Sequence, residues 1–164
     1  MRLVADVMTP APRCLAPDDS VRQAAQVMDE LNVGVLPVCE GRRVVGILTD
    51  RDIAVRVMAR ALPVSTTPVH AVMSRDVLCC YEDVPVEEAA ALMRRGRVRR
   101  MPVLDRRRRI VGMVSLGDVA TKASAELAGQ ALQEITEPTA AGSGPDQAVL
   151  PRRRGTRSPG TVLK

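Results

Sequence analysis

An internal duplication constrains this chain of 164 residues more than any other feature. Val7-Met8-Thr9 recurs as Val72-Met73-Ser74 after 65 residues, and the stretch 46–52 recurs as 112–118 after 66 residues. Both copies of the longer stretch read as a glycine, an apolar strand end, a hydroxyl residue and an acid three positions after the hydroxyl. Two copies are too few for a solenoid, which needs at least about three stacked repeats. We therefore predict a pseudo-symmetric pair of units that buries a shared face.

Composition limits what such a pair can bind. The chain is 46% hydrophobic, but Tyr81 is its single aromatic residue, so the core must be aliphatic. Proteins that bind single-stranded nucleic acid stack its bases on aromatic side chains, so a chain with one aromatic residue is poorly suited to that function. Five basic and two acidic residues from Glu137 onward supply +3 of the formal net charge of +5, so the body before them is nearly balanced. A balanced body offers no broad duplex-binding face, and nucleic-acid binding through the arginine-rich tail stays only an alternative.

The four cysteines indicate a reducing compartment. Cys14, Cys39, Cys79 and Cys80 have neither metal-ligand spacing nor a C-x-x-C pair. The sequence also shows no signal peptide and no apolar run near 18 residues. We therefore expect a cytoplasmic protein with reduced thiols, no metal site and no membrane segment.

Each unit reads as a helix, a hairpin and a second helix. In the first unit, Ser20 is a plausible N-cap, and apolar residues at helical spacing continue to about Leu31. Two β-rich runs, 33–38 and 44–48, flank a turn and predict a hairpin. A second helix over about 49–61 follows, with three apolar residues on its inner face: Ile53, Val57 and Ala61.

The second unit repeats this order at the shifted positions. We predict a helix over 85–95, strands over 98–104 and 110–114, and one long helix from about Leu116 to Ile135. The content of proline, serine and threonine predicts a linker between the units. The last residues lack an apolar period, which is typical of disorder. The expected division is repeat 1 (1–62), a linker (63–71), repeat 2 (72–135) and a disordered basic tail (136–164).

The motif G-x-x-[TS]-x-x-D closes each unit, downstream of Pro37-Val38 and Pro102-Val103, and with this order of elements it resembles the CBS-domain family, named after cystathionine β-synthase. The resemblance covers roughly residues 3–130. It implies an α/β fold made of a tandem CBS-domain pair, two β-α-β-β-α repeats with pseudo-two-fold symmetry. It also implies a stand-alone Bateman module with two clefts. Such clefts commonly hold adenosyl ligands (AMP, ADP, ATP, S-adenosylmethionine or NAD), and no resident cofactor is required.

The resemblance also implies which residues form the two clefts. In adenylate-binding members the aspartate receives the ribose hydroxyls, the serine or threonine assists at ribose or phosphate, and backbone of the partner repeat frames the base. A carboxylate can accept two vicinal hydroxyl donors, which fits this role. Cleft A would contain Thr49, Asp52, Asp76, Leu78, Val98, Arg99 and Arg100. Cleft B would contain Ser115, Asp118, Ala11, Arg13 and Val33.

An asymmetry between the clefts follows from this assignment. Arg99 and Arg100 occupy positions where family members often contact phosphate, whereas the first repeat has Gly34 and Val35 there. Cleft A would therefore suit a phosphorylated adenosine and cleft B a less charged ligand, although Arg13 could partly compensate. An alternative stays open, because a hydroxyl residue and an acid at these positions can serve only as helix caps.

The sequence contains no nucleophile with a base, no phosphate-binding loop and no metal cluster, so we do not expect an enzyme. We predict a regulatory, energy-sensing module that binds an adenine nucleotide and signals to an unknown effector protein. Family members usually pair into flat dimers, so we expect a homodimer with the helices at 20–31 and 85–95 in its contact. Two alternatives remain: a protein-interaction dimer without ligand, and nucleic-acid binding through the tail. The run Arg106 to Arg109 reads as a charged hairpin turn at the surface.

Overall fold

The computed structural model describes residues 1–138 and the main chain of residues 161–163. The fold is mixed α/β, as predicted, and its elements follow the duplication. Repeat 1 contributes α1 (Val4–Val7), β1 (Thr9–Pro10), α2 (Val21–Leu31), β2 (Val35–Glu40), β3 (Arg43–Thr49) and α3 (Asp50–Asp52), which continues as a π-helix (Ile53–Met58). Repeat 2 contributes β4 (Val77–Tyr81), α4 (Val86–Gly96), β5 (Arg100–Leu104), β6 (Ile110–Ser115), α5 (Leu116–Lys122) and α6 (Ala125–Thr136), after a short 3₁₀ helix (Val69–Ala71).

The first predicted helix is confirmed, with its cap. Ser20 has extended backbone, and its hydroxyl accepts the N–H of Gln23 while the Gln23 side chain accepts the N–H of Ser20. This reciprocal cap starts α2. Asn32 ends the helix in the left-handed conformation (φ 51°). Leu31, which the apolar spacing placed on the inner face, is 48% exposed.

The second helix of repeat 1 is shorter and less regular than predicted. After one α-helical turn the chain continues as a π-helix to Met58, with Val57 fully buried. Ala61 does not lie on the inner face: it is exposed and has φ 52°, so the chain has already left the helix there.

The prediction of one long helix after Leu116 is wrong. Helix α5 ends at Lys122, with Ala123 as its C-cap. Ser124 then caps a separate helix, α6, by accepting the N–H of Leu127 (3.1 Å). The break lets α6 fold back onto α4 and α5, where its apolar face is buried through Ala128, Ala131 and Ile135.

Each repeat completes the core of the other. Although α1 belongs to repeat 1 in the sequence, it packs in the core of repeat 2 through Val4 and Val7. The start of repeat 2 packs in return into the core of repeat 1 through Val69, Val72 and Met73. We call these two stretches the crossing segments, 4–8 and 69–73.

Main-chain pairing continues this exchange into the sheets. β1 pairs antiparallel with β6, with Thr9 opposite Met113. Ser74 forms the equivalent antiparallel bridge with Ile47 of β3, through two hydrogen bonds of 2.9 Å. The predicted hairpins are confirmed as β2–β3 and β5–β6, both antiparallel. Each sheet is therefore completed by a short stretch from the other repeat.

Part of the predicted disordered tail is ordered. Thr136 is the last residue of α6, and Thr161–Leu163 forms a strand, β7, that pairs antiparallel with β4. In this pairing Leu78 lies opposite Val162. Residues 139–160 and Lys164, which include three consecutive arginines of the tail, lie outside the described residues, so the prediction is not tested there.

Candidate functional site

The first hydroxyl–acid pair lies at the end of β3, where Thr49 caps the following helix. The Thr49 hydroxyl accepts the N–H of Asp52 (3.0 Å), and Asp52 Oδ2 accepts the N–H of Thr49 (3.0 Å). The Asp52 side chain is 14% exposed. The capping alternative is therefore correct as local geometry, and it also fixes both side chains at the strand end.

The second pair, Ser115 and Asp118, repeats this geometry at the end of β6. Asp118 Oδ2 accepts the N–H of Ser115 (2.9 Å) and its hydroxyl (2.6 Å), and the Ser115 hydroxyl accepts the N–H of Asp118 (3.1 Å). Partial burial opposes ionisation of Asp118, but the hydrogen bonds from Ser115 and Lys122 outweigh it and lower the pKa of the carboxyl group. Asp118 is therefore a carboxylate at neutral pH.

Each acid also has a basic partner one helical turn later, which the sequence analysis missed. Arg56 lies 3.4 Å from Asp52 Oδ1, and Lys122 lies 3.0 Å from Asp118 Oδ1. The same 66-residue shift that relates the acids relates these two cations, so the duplication in the sequence could have identified them.

Both cations also hold a crossing segment. The Arg56 guanidinium donates to the carbonyl of Val72 (2.7 Å), and the Lys122 ammonium donates to the carbonyl of Val7 (2.8 Å). Val7 and Val72 are themselves related by the duplication. The two sites therefore have the same set of contacts between acid, cation and main-chain carbonyl. In both repeats the cation thus contacts the acid and a segment of the other repeat.

Two of the other residues predicted for cleft A shortly follow Ser74, the residue that bridges β3. Asp76 and Leu78 follow Ser74, which bridges Ile47, two residues before Thr49. Asp76 is exposed and Leu78 is half-buried. The main chain at Leu78 also faces Val162 of β7, so the C-terminal strand lies along the edge predicted to frame the base.

The three remaining residues predicted for cleft A lie at the start of β5 or just before it, and β5 pairs with the strand that ends at Ser115. Arg100 lies opposite Ser115 in the β5–β6 register, and the Arg99 carbonyl accepts the N–H of Leu116 (3.0 Å). Val98, half-buried, immediately precedes them. The main chain of both arginines thus lies beside the strand end at Ser115, and their assignment to cleft A stays a prediction.

The equivalent positions in repeat 1 have the same main-chain pairing, so the pairing is a property of the hairpin in both repeats. Val35 lies opposite Thr49, and the Gly34 carbonyl accepts the N–H of Asp50 (3.0 Å). Thr49 thus has Gly34 and Val35 beside it where Ser115 has two arginines. The two strand ends therefore differ in the charge of the residues paired beside them, and the predicted difference between the clefts in ligand charge stays a prediction.

The residues expected to come from repeat 1 in cleft B start from a main-chain contact with β6. The N–H of Ala11 donates to the carbonyl of Val111 (3.0 Å), and Ala11 has φ 47°, which turns the chain just after β1. Arg13, exposed, lies two residues further along, and Val33 is half-buried just after α2. The structure joins Ala11 to the strand that ends at Ser115.

Comparison with known proteins identifies the family. The model of the CBS domain matches residues 4–59 and 69–124, and the chain belongs to the CBS-domain family. It is 39% identical over 137 residues to the CBS domain-containing protein YhcV of Bacillus subtilis, covering 83% of this chain and 96% of YhcV. A relative named only for its CBS domains thus matches over nearly its whole length.

Solved structures of CBS-domain pairs have the same fold. The CBS domain pair of protein MJ0100, solved with 5'-methylthioadenosine and S-adenosyl-L-methionine, is 29% identical with a TM-score of 0.67, covering 77% of this chain and 98% of that one. CBSX2, solved in complex with AMP, is 25% identical with a TM-score of 0.66 and the same coverage. Both similar proteins bind adenosine compounds. None of the helices in the described part of this chain has the length and apolar character of a bilayer-spanning helix.

Proposed function

We propose that this protein is a regulatory module that binds adenosine-containing nucleotides in two clefts, one at Thr49 and Asp52 and one at Ser115 and Asp118. The observation that carries the proposal is the duplicated set of hydroxyl, acid and cation at a strand end, each set joined to a segment of the other repeat. The adenosine ligands of the similar CBS pairs support the same class of ligand.

In each cleft the aspartate would accept the ribose hydroxyls, because a carboxylate has enough lone pairs to serve two vicinal donors and a cap at once. Main chain near Leu78 in one cleft and near Ala11 in the other would frame the base. Val98 and Val33 would add apolar contacts, and Asp76 and Arg13 would lie at the cleft edges.

The two clefts would differ in the charge they accept. We assign Arg99 and Arg100 to the cleft of Ser115, and the pairing of Arg100 with Ser115 in the β5–β6 register supports this assignment. Arginine forms bidentate, charge-assisted contacts with phosphate. This cleft therefore suits AMP, ADP or ATP, whereas the cleft of Thr49 suits a less charged adenosine compound such as S-adenosylmethionine.

Ligand binding would signal through the crossing segments. Ribose hydroxyls that bind Asp52 would weaken the ion pair between Asp52 and Arg56. Because Arg56 also donates a hydrogen bond to the carbonyl of Val72, that contact would change as well. A ligand shifts a conformational equilibrium only by its difference in affinity for the two states. In this proposal the bound and free conformations differ in the position of residues 69–73 relative to β3.

We propose a non-enzymatic, energy-sensing role with an unknown effector protein, and a cytoplasmic location, which four free thiols favour. We also propose a homodimer. Because α6 covers one face of α4 while α2 has no such cover among the described residues, the contact would form mainly on repeat 1, where Leu31, Val55 and Met58 are exposed.

Calorimetric titration with AMP tests the proposal. Asp118→Asn keeps an acceptor for the cap but removes the charge, and we expect it to weaken AMP binding at least about tenfold, the loss of one charge-assisted hydrogen bond. Asp19→Asn is the matched control, because Asp19 also accepts a main-chain N–H, that of Ala16 (2.8 Å), far along the chain from either acid. Equal AMP affinity in both variants and the wild type would refute nucleotide binding at Ser115.

A second function is a protein-interaction dimer that binds no nucleotide. The observation that favours it is that both acids are already satisfied by caps and cations, and that β7 pairs along the edge at Leu78. A specific ligand raises the melting temperature as its concentration rises. A flat response to AMP, ATP and S-adenosylmethionine, together with a stable dimer, would favour this second function.

A further inference from the structure

The two hairpin turns, distant in sequence, meet in the fold. The N–H of Ile110 donates to the Arg42 carbonyl (2.8 Å), and the Arg42 guanidinium donates to the Ile110 carbonyl (3.2 Å). Between the turns lies a groove of about 660 Å³, also lined by Val44 and Val45. Its volume is typical of small-ligand sites, roughly 300–1,000 Å³. We call it the arginine groove, after Arg42, Arg43, Arg107, Arg108 and Arg109.

Cations outnumber anions along the groove. Five arginines line it, and Glu40 is the one acidic residue among its lining residues. Glu40 pairs with Arg43 at 3.1 Å, but both side chains are more than half exposed, so water screens this pair. Within residues 1–138, the side chains of Arg107 and Arg108 have no carboxylate partner. Two of the arginines that line the groove therefore have no carboxylate partner among the described residues.

The nearby acid, Asp105, serves the turn itself. Its Oδ1 accepts the N–H groups of Arg107 and Arg109 (both 2.9 Å), and its Oδ2 pairs with the Arg109 guanidinium at 2.7 Å. The main-chain hydrogen bond from Arg109 contributes most to lowering the pKa of Asp105. This carboxylate fixes the turn and leaves the charges of Arg107 and Arg108 uncompensated.

The backbone at Arg108 adds an independent observation. Arg108 has φ 61°, the left-handed conformation that Gly41 holds, also at φ 61°, in the first turn. Glycine adopts this conformation readily, whereas other side chains are disfavoured there. The chain therefore keeps an arginine where glycine would be less strained, and the guanidinium that it gains lies at the groove.

We propose that the arginine groove binds a linear oligophosphate anion of at least three phosphates. Guanidinium groups match phosphate oxygens in bidentate geometry, and several of them need several negative charges. Because the rest of the body is nearly balanced, the groove fits a compact anion better than a nucleic acid, which needs a broad basic face. Arg43 and Thr49 are six positions apart along β3, about 20 Å, so the groove is distinct from the nucleotide clefts.

Titration calorimetry of the full chain with tripolyphosphate tests the proposal, at about 150 mM salt to suppress weak surface attraction. We expect saturable binding that Arg107→Gln with Arg108→Gln weakens at least about tenfold, as for lost charge-assisted contacts. Arg22→Gln with Arg60→Gln is the matched control, because it removes the same charge from exposed arginines elsewhere. No saturable binding, or equal weakening by both double variants, would overturn the proposal.

Arg108→Gly separates binding from folding. Glycine relieves the left-handed backbone, so the urea midpoint should rise while tripolyphosphate binding weakens several-fold. Unchanged binding, whatever the midpoint, would show that the arginine serves the turn alone and would overturn the proposal.

Competition then identifies the source of the phosphate chain. Displacement of tripolyphosphate by ATP but not by AMP would show that the triphosphate of a nucleotide can occupy the groove, and no displacement by ATP would assign it to the free anion. A short single-stranded RNA that binds more tightly as it lengthens, without displacement by tripolyphosphate, would make the groove a nucleic-acid surface and refute the proposal. AMP binding at Asp118 should not change in the groove variants, so each proposal can fail alone.

Discussion

The side chain of Met73 lies directly against Gly46, where any β-carbon would collide with the methionine sulfur and approach its Cγ to 2.9 Å. The second copy repeats the contact, with Met8 against Gly112. Both methionines belong to crossing segments, and both glycines open the motif that ends in the acid. The glycines are therefore present for close approach between repeats, and neither has a positive φ.

Gly46→Ala should destabilise the protein by about 1–3 kcal/mol, the usual cost of overpacking a core. Gly129→Ala is the matched control, since a β-carbon there meets nothing within 4 Å and alanine favours a helix. Urea unfolding should thus show opposite changes of midpoint for the two variants. A neutral Gly46→Ala would mean that Met73 moves aside freely and does not hold the repeats together.

Acid should weaken the fold partly through Asp118. Its pKa is lowered in the folded state, so the unfolded chain binds the proton first as pH falls. Its contribution to the free energy of unfolding is complete above the unfolded value of about 3.9 and is lost as pH falls through the lower folded value. Urea unfolding at pH 6, 4 and 3 should therefore show wild type and Asp118→Asn converging toward acid. A stability difference that grows toward acid would contradict this.

Lys122→Met should loosen the crossing segment in repeat 2. The methionine keeps most of the apolar stem but loses the contacts with Asp118 and with the Val7 carbonyl. Hydrogen exchange of amides in residues 4–8 should become faster by about tenfold, equivalent to about 1.4 kcal/mol. Lys122→Arg keeps the charge and should retain most of the protection. Equal exchange in all three proteins would show that the cation does not hold the segment.

The cysteines should differ sharply in reactivity. A hydrogen bond with Cys39 lowers the pKa of the half-buried Cys14 thiol, whereas burial raises the pKa of Cys79 and Cys80 to about 12. Because the thiolate is the reactive form, iodoacetamide should modify Cys14 first in the folded protein. Mass spectrometry after brief labelling at pH 7 checks this, with the urea-unfolded chain as control. Early labelling of Cys79 would contradict the buried position found here.

The duplication and the local periods predicted much of the fold. Ser20, followed by apolar residues at helical spacing, located α2, and pairs of β-rich runs flanking a turn located both hairpins. These features depend on neighbours within a few residues, which a sequence displays directly. The motif spacing likewise located Thr49, Asp52, Ser115 and Asp118 at strand ends.

Features that depend on distant contacts were not predictable in this way. The sequence gives no sign that residues 4–8 complete the core of repeat 2, since their apolar pattern fits either core. The placement of Arg100 followed from strand register, with Ser115 as its partner, and not from its position in the chain. The break at Ser124 was missed because the apolar spacing continues across it, although serine is a common helix cap.

The stoichiometry of adenosine ligands per chain tests the central claim most directly. Native mass spectrometry of the wild type with excess AMP or S-adenosylmethionine should show up to two ligands per chain. Asp52→Asn and Asp118→Asn should each remove one of them, and the Asp118 variant should lose mainly AMP. Ligand-free spectra for the wild type, or unchanged occupancy in both variants, would contradict nucleotide binding at the duplicated hydroxyl–acid pairs.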